Sequence, residues 1–587
     1  MICKRSPRRA PLLGLGAFVL IAGILPCANV SAQASMMNHH GGMASQDYPD
    51  LPPPPLMQGI GNASMKITTN SAEAQAYFNQ GLRLLHDFWD FESYRAFKEA
   101  ARLDPNAAMA YWGEFEALKM RGPAKDDTRA ALDKAKSLMD KASDHERCYI
   151  RAAEHEIDQD KPGEDAAYQH EMEILISRYP DDQDAEALLA LNVMNGFDSD
   201  GDPRPGELYS QAILRNLLAA HPDSAAANHY WIHAVEDSAR PELALHSADI
   251  LASLAPNSGH MVHMPGHIYW RIGDYERARE AFLASMHVDE AYMASEKIQP
   301  ADDWNYAHNL AYLIAACAEA GRYREGLEIA KKLRDIPSPT GMTAASFVVW
   351  AGASVARVHI RFGDWQAVPQ DPIAFGRDAG LVSLPARSYA DGLNAYAGGM
   401  DAIEKGDLAQ AAHQSELLDA SLWRLEAAKP AKKPDAMDMS NVEPTEDDPT
   451  QVLSLLGTMS LDLRGNVKIA QGDSDAGLKL IERAAEKEKN LGYSEPPRYF
   501  RPEEESLGYA YLKLKQWDRA RDAFNEALLQ RPKSGHALYG IAQSYALAGD
   551  APHATAAYRD FLAAWPHADS DLPQVKQANA WLGSHAQ

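Results

Sequence analysis

Cysteine is nearly missing from this 587-residue chain: there are four, and Cys3 and Cys27 fall within the first 34 residues. Only Cys148 and Cys317 lie beyond, so at most one disulfide can form there and no bridge framework holds the fold. Long hydrophobic runs are missing too. Leu12 to Leu25 is short of the ~20 residues a membrane-spanning helix needs, and no later segment is a better candidate. Basic clusters are confined to the first nine residues and Lys429 to Lys433, while the formal net charge is -25. Such a surface repels nucleic acid and anionic lipid, which argues against either as a partner. Gly-rich phosphate loops, Gly-x-Ser-x-Gly elbows and His-Glu-x-x-His helices do not occur, so nothing points to a nucleotide cofactor. Strand-like alternation is scarce.

What is present begins with an export signal. Lys4, Arg5, Arg8 and Arg9 precede the apolar stretch, and Ala32-Gln33-Ala34 supplies a small-residue cleavage site. Residues 1–34 therefore read as a signal peptide, and the mature protein is expected outside the cytoplasm, periplasmic or secreted. Residues 35–69 read as a flexible arm holding Met36, Met37, His39, His40, Met43 and the run Pro52 to Pro55. Sulfur and imidazole together suit copper, although short His/Met tails commonly bind metal adventitiously.

Beyond residue 70 Ala, Leu and Glu recur with helical spacing. Near the C-terminus Gly508, Trp517, Ala520, Phe524, Ala527 and Pro532 are followed 34 residues later by Ala542, Ala551, Ala554, Tyr558, Phe561 and Pro566. Small residues allow two antiparallel helices to approach, aromatics fill the space between hairpins, and proline ends each second helix. This pattern resembles the tetratricopeptide repeat, a 34-residue helix hairpin that stacks into a superhelix. Weaker units carry the same marks at Phe97 with Pro105, at Gly273 with Phe282, and at Gly321 with Tyr323. Turns of degenerate units are marked by Gly363, Gly406 and Gly472. The expected fold is an all-α tetratricopeptide solenoid in two blocks, 70–428 and 452–587. Between them lies an acidic, proline-rich linker over 429–451.

Histidines concentrate in the first block. When Gly273 is taken as the turn glycine of its repeat, His260, His263 and His267 fall on one face of the preceding helix, with Tyr269 and Trp270 beyond them. The same 34-residue offset maps His229 onto His263 and His233 onto His267, and it sets Glu236 opposite Trp270. His229, His233 and Glu236 share a helical face at i, i+4, i+7. His308 takes the corresponding place in the next unit. The resemblance implies that these positions line a concave groove, with Tyr269 and Trp270 as ligand-contacting groove residues. His229, His233, Glu236, His260, His263, His267 and His308 form the candidate metal set. Imidazole with carboxylate suits zinc, copper or iron, as one ion or two. Pro265 lies inside the central helix and is expected to kink or restart it.

"NHYWIHAVEDSARPELAL", "GHMVHMPGHIYWRIGDY" and "EPPRYFRPEEESLGYAYLKL" look like segments of a large group of exported bacterial tetratricopeptide proteins, mostly without assigned function. Asp90 departs from that group, which is expected to carry histidine there. The sequence favours a binding protein whose groove holds a protein or peptide partner and a transition metal. The alternatives are a metal-dependent hydrolase or oxidoreductase using the same residues, and a metal-free assembly scaffold.

Overall fold

A computed structural model describes residues 52–585, apart from 121–125, 158–162, 199–200, 339–343, 377–382, 429–448, 492–493, 495 and 498. The signal segment, residues 35–51 with their Met/His cluster, and most of the expected linker lie outside the described residues.

Among the described residues the chain is helical from Ala72 to Ser584, and its only strand-like feature is an isolated bridge between Phe197 and Pro203. Successive helices pack as antiparallel hairpins, each on its neighbours in sequence, which is the arrangement of a solenoid. Side chains at the helix starts take up the otherwise unsatisfied N–H groups. Ser71, Asp182, Ser224 and Asp303 accept from the first turn, and Ser143 with Glu146 forms a reciprocal capping box. Gly273 stands in a hairpin turn at φ 74°, the left-handed region that a side chain would make costly. The C-terminal repeat follows the 34-residue register. Its helices are Glu503–Lys513, Trp517–Gln530, Gly535–Ala548 and Ala551–Ala564, with Ala520, Phe524, Ala554 and Tyr558 all fully buried between them.

Six helices position the histidines. We label them α1 (Ala72–His86), α2 (Ala225–Glu236), α3 (Gly259–His263), α4 (Pro265–Arg271), α5 (Tyr275–Glu296) and α6 (Trp304–Glu319). Pro265 does restart its helix. It opens α4 at the first turn, where the missing N–H is harmless, and Met264 separates it from α3. Next to it, a Cβ at Gly266 would lie 2.3 Å from the Phe282 ring, so glycine is what lets α4 seat against α5.

Two expectations about boundaries need correction. Residues 52–69 are not a flexible arm. Ile60, Met65 and Ile67 are buried, and the extended backbone is held by side chains of α1. The Met57 N–H donates to Gln80 Oε1 at 2.7 Å, Gln80 Nε2 donates to the Pro55 carbonyl at 3.0 Å, and Arg83 Nε donates to the Ala63 carbonyl at 2.9 Å. An extended strap has no helical period, so its partners on α1 leave no trace in its own sequence. The linker is also shorter at its end than 451, because a helix begins at Thr450. That helix, Thr450–Ala470, packs on both Leu384–Lys405 and Leu408–Ala428, and the main hydrophobic cluster includes Leu418 and Leu456 on the two sides. The C-terminal repeats fold back onto α6: Trp565 Nε1 donates to the Glu319 carbonyl at 2.7 Å.

Candidate metal centre

The six histidines and Glu236 come together on α2, α3, α4 and α6 in two adjoining sets. His229, His233 and His260 can each offer a ring nitrogen within 4.8 Å of the others, and so can His263, His267 and His308. The repeat offset pairs His229 with His263 and His233 with His267, yet these pairs fall in different sets. His260, at the start of α3, meets the two histidines of α2, while His263 and His267 meet His308 on α6.

Hydrogen bonding fixes which nitrogen faces inwards. Nδ1 of His229 lies 2.7 Å from the His86 carbonyl, Nδ1 of His263 lies 2.8 Å from Asn309 Oδ1, and Nδ1 of His260 lies 3.3 Å from Asn305 Oδ1. The Asn309 amide is itself oriented by donating Nδ2 to the Phe282 carbonyl at 2.8 Å. Glu236 spans the two sets, with Oε1 2.8 Å from His233 Nδ1 and Oε2 2.6 Å from His267 Nδ1. All five partners are acceptors, so each Nδ1 carries a hydrogen, and in the neutral form of each ring Nε2 carries the lone pair. Those Nε2 atoms converge: 3.1 Å for His229 with His260, 3.1 Å for His229 with His233, and 2.7 Å for His263 with His267. Ligand nitrogens on a tetrahedral ion at 2.0–2.1 Å stand about 3.3 Å apart.

The environment is dry. His229 and His263 are 0% exposed, and every other member of the two sets is under a tenth exposed at its side chain or residue. Phe88 packs on His229, His233 and His260 with ring centres 4.7, 5.5 and 5.8 Å away. Phe282 and Tyr312 cover His263 and His267, and Trp304 covers His260. An open concave groove is therefore not what surrounds these residues: the turn between α1 and helix Asp90–Leu103 closes it with Phe88, and α6 closes the other side. Burial, then the neighbouring His267, pushes His263 well below the usual imidazole range. For Glu236 burial works to raise the carboxyl, but the His233 and His267 imidazoles outweigh it and hold it far below the usual carboxylate range.

The two aromatic groove residues stand elsewhere. Tyr269 turns outwards, donating to Asp249 at 2.9 Å with the Arg277 guanidinium 3.8 Å above its ring. Trp270 stacks edge-on with Tyr275 and lines a small apolar cavity with Ile314, Val358, Pro497 and Phe500. Two residues beyond His267, Tyr269 points to the opposite side of the helix; Trp270, three residues beyond, lies on the neighbouring side but is taken up by Tyr275 and the cavity rather than by the histidines. Sequence reading missed Asn305, Asn309, Tyr312, Phe88 and the His86 carbonyl. The first three lie with His308 at i, i+3, i+4, i+7 on α6, a stripe legible in the sequence. The last two come from the end of α1 and the turn after it, where the repeat pattern sets no side-chain identity.

A tetratricopeptide-repeat pattern matches residues 506–534, and a second matches residues 261–300, which span His263, His267 and α5. No curated protein matches the chain. Solved structures similar to it include the APC/C hetero-tetramer Cut9-Hcn1, at 15% identity over 86% of this chain and 76% of that one, TM-score 0.28. Yeast Tom70 aligns at 12% identity over 87% and 96%, TM-score 0.27. The human IFIT1 dimer with m7Gppp-AAAA aligns at 12% over 84% and 91%, TM-score 0.30. The chain is an all-α solenoid of helix hairpins that carries tetratricopeptide repeats.

Proposed function

We infer that this is an exported tetratricopeptide-repeat protein that binds transition-metal ions in its histidine core. One observation carries the reading: imidazoles whose Nδ1 hydrogens are committed to acceptors turn their Nε2 lone pairs on each other at 2.7–3.1 Å. Unprotonated rings in that arrangement repel unless a proton or a metal cation lies between them, and the Nδ1 hydrogen bonds keep the rings from turning away. Three imidazoles per set, with carboxylate and amide oxygens orienting them from behind, is the arrangement that tunes and holds zinc or copper. An ion so held keeps a position for an exogenous ligand, so chemistry at the site is compatible with the arrangement.

The repeats also support a protein partner, and a polar cleft of about 1210 Å3 beside the strap suits one. Its walls carry Lys66, Thr68, Asn106, His145, Arg178 and Asp182, groups that hydrogen-bond an extended peptide.

The test is metal analysis of the mature protein purified from its export compartment, followed by titration with zinc and copper(I). Near-stoichiometric metal that is lost in a His229→Ala/His263→Ala variant supports the reading. A parent protein that binds no ion even after reconstitution overturns it and leaves the metal-free scaffold. An N-terminus beginning at Ser35 supports export, and an intact Met1 argues against it.

A further inference from the structure

The two histidine sets differ from most two-ion centres in their charge. All six candidate ligands are imidazoles, which ligate as neutral groups, and among the described residues Glu236 is the carboxylate seen to bridge the two sets, between His233 and His267. Two divalent ions would bring four positive charges into a volume walled by Phe88, Phe282, Tyr312 and Trp304, against that one negative group. Uncompensated charge in a buried site is expensive. Two monovalent ions halve it, and among metals suited to imidazole copper(I) is the one with a stable monovalent state. The chain also carries Met36, Met37, His39, His40 and Met43, outside the described residues; thioether with imidazole favours copper in the same way.

Access narrows the ligand further. The candidate ligands are under a tenth exposed at side chain or residue and Phe88, Phe282 and Tyr312 are buried, with Trp304 the partly exposed member of the wall, so a polymer or a peptide does not fit against the Nε2 atoms. A small uncharged molecule entering through thermal opening of an aromatic wall does. The two sets adjoin, with ring centres of His260 and His263 5.9 Å apart and those of His233 and His267 6.3 Å apart. One diatomic molecule can therefore meet both ions.

We propose that the six histidines hold a pair of copper(I) ions, three imidazoles each, and that the pair binds dioxygen reversibly. This rests on the metal-binding reading above. In the step each copper(I) gives one electron and becomes copper(II), while dioxygen takes both electrons and becomes a bridging peroxide dianion. No proton moves. The centre carries two positive charges before and after, so the low-dielectric site does not oppose the reaction; release of dioxygen is the reverse. Glu236 is a positioning residue: by accepting from one imidazole of each set it holds the two sets in register.

The experiment loads the purified mature protein with copper(I) without oxygen, measures copper per chain, and then admits dioxygen in a closed cell. The expected result is two copper ions per chain, uptake of one dioxygen per pair, and a new near-ultraviolet charge-transfer band that disappears on removing oxygen. Protein loaded with zinc should take up none. A His308→Gln variant should keep one copper and lose oxygen uptake, with its helical dichroism unchanged. Two bound copper ions without oxygen uptake overturn the dioxygen proposal and leave metal binding standing. Failure to bind copper or zinc overturns both. Uptake at one dioxygen per single copper, surviving in His308→Gln, shows that the pair is not required and also overturns the proposal.

Discussion

One helix, α6, runs through two buried polar clusters of opposite character. Its first half carries Asn305, His308, Asn309 and Tyr312 into the histidine core, and its last residue, Glu319, enters an ionic cluster. There Arg361 donates Nε to Glu319 at 3.0 Å and Nη2 to Glu505 at 3.0 Å, while Arg531 Nη1 donates to Glu319 at 2.7 Å. Ser534 donates to the second Glu319 oxygen at 2.6 Å. Two guanidiniums meet two carboxylates, and donors match acceptors. The histidine core has six imidazoles, one carboxylate, and lone pairs turned on lone pairs. A cluster complete in itself clamps the structure, here by tying the C-terminal repeats to α6. A cluster that lacks positive charge is built for something to arrive. The contrast separates a structural polar network from a binding site without reference to exposure, since both are buried.

The sharpest way to break the comparison is to make the complete cluster incomplete. Arg361→Ala leaves Glu319 and Glu505 buried with half their counter-charge removed. Breaking a buried pair by deleting one partner costs about 3–5 kcal/mol. The thermal midpoint should fall by several degrees while metal content stays unchanged. If instead the midpoint holds, the cluster is not a clamp.

Acid separates the clusters next. His536, edge-on to Trp565 with ring centres 5.0 Å apart, is pushed down to about 4 by burial and then by Arg361. Its folded value lies below its unfolded one, so its stabilising contribution is complete above about pH 6.5 and is lost as pH falls towards 4. A shift of that size corresponds to roughly 3 kcal/mol. His263 is displaced in the same direction. Metal-free protein should therefore lose stability between pH 6.5 and 4, and His536→Gln should flatten that slope. An equal slope in the variant would assign the acid sensitivity elsewhere.

Removing histidines from the incomplete cluster should abolish the metal binding that Arg361→Ala spares. In His229→Ala/His263→Ala the metal-free midpoint should fall as well, since two fully buried rings and their hydrogen bonds are lost, so the metal effect is read as the difference between scans with and without metal. The stabilisation contributed by bound metal, about 2.7 kcal/mol at a hundredfold excess over Kd, should vanish. A calorimetric scan with and without metal reads both terms.

Much of this was legible in the sequence, and for a physical reason. Repeats impose one register on many helices, so Gly273 and a 34-residue offset suffice to put His229, His233, Glu236, His263 and His267 on inward faces. What register cannot supply is how a helix breaks or what an irregular connection covers. Pro265 announced a break, but the side to which His260 would turn depends on how α3 packs against α2 and α6. Phe88 sits in a hairpin turn, where the repeat sets no side chain, and it helps turn an open groove into a closed core. Glu319, Arg361, Glu505 and Arg531 sit far apart in sequence on different units; only the folding back of the C-terminal repeats joins them.

The smallest expected effect probes the one charge the histidine core possesses. Glu236 accepts from two Nδ1–H groups, one in each set, through its two oxygens. Glu236→Gln keeps the shape but supplies a single acceptor; the amide nitrogen faces the other imidazole donor to donor. That ring must change tautomer or turn away, and either removes its Nε2 lone pair from the ion. Loss of such a supporting hydrogen bond typically costs 10–100-fold in metal affinity. Because only one of His233 and His267 can keep its partner, the penalty should fall unequally. A metal titration of the variant should then resolve two classes of site where the parent shows closely matched ones. His246→Ala, on the exposed face of helix Leu245–Leu254, should leave both the titration and the midpoint unchanged within about 0.5 kcal/mol. If Glu236→Gln behaves like His246→Ala, the carboxylate does not orient the imidazoles, and the contrast between the two clusters of α6 loses its charge argument.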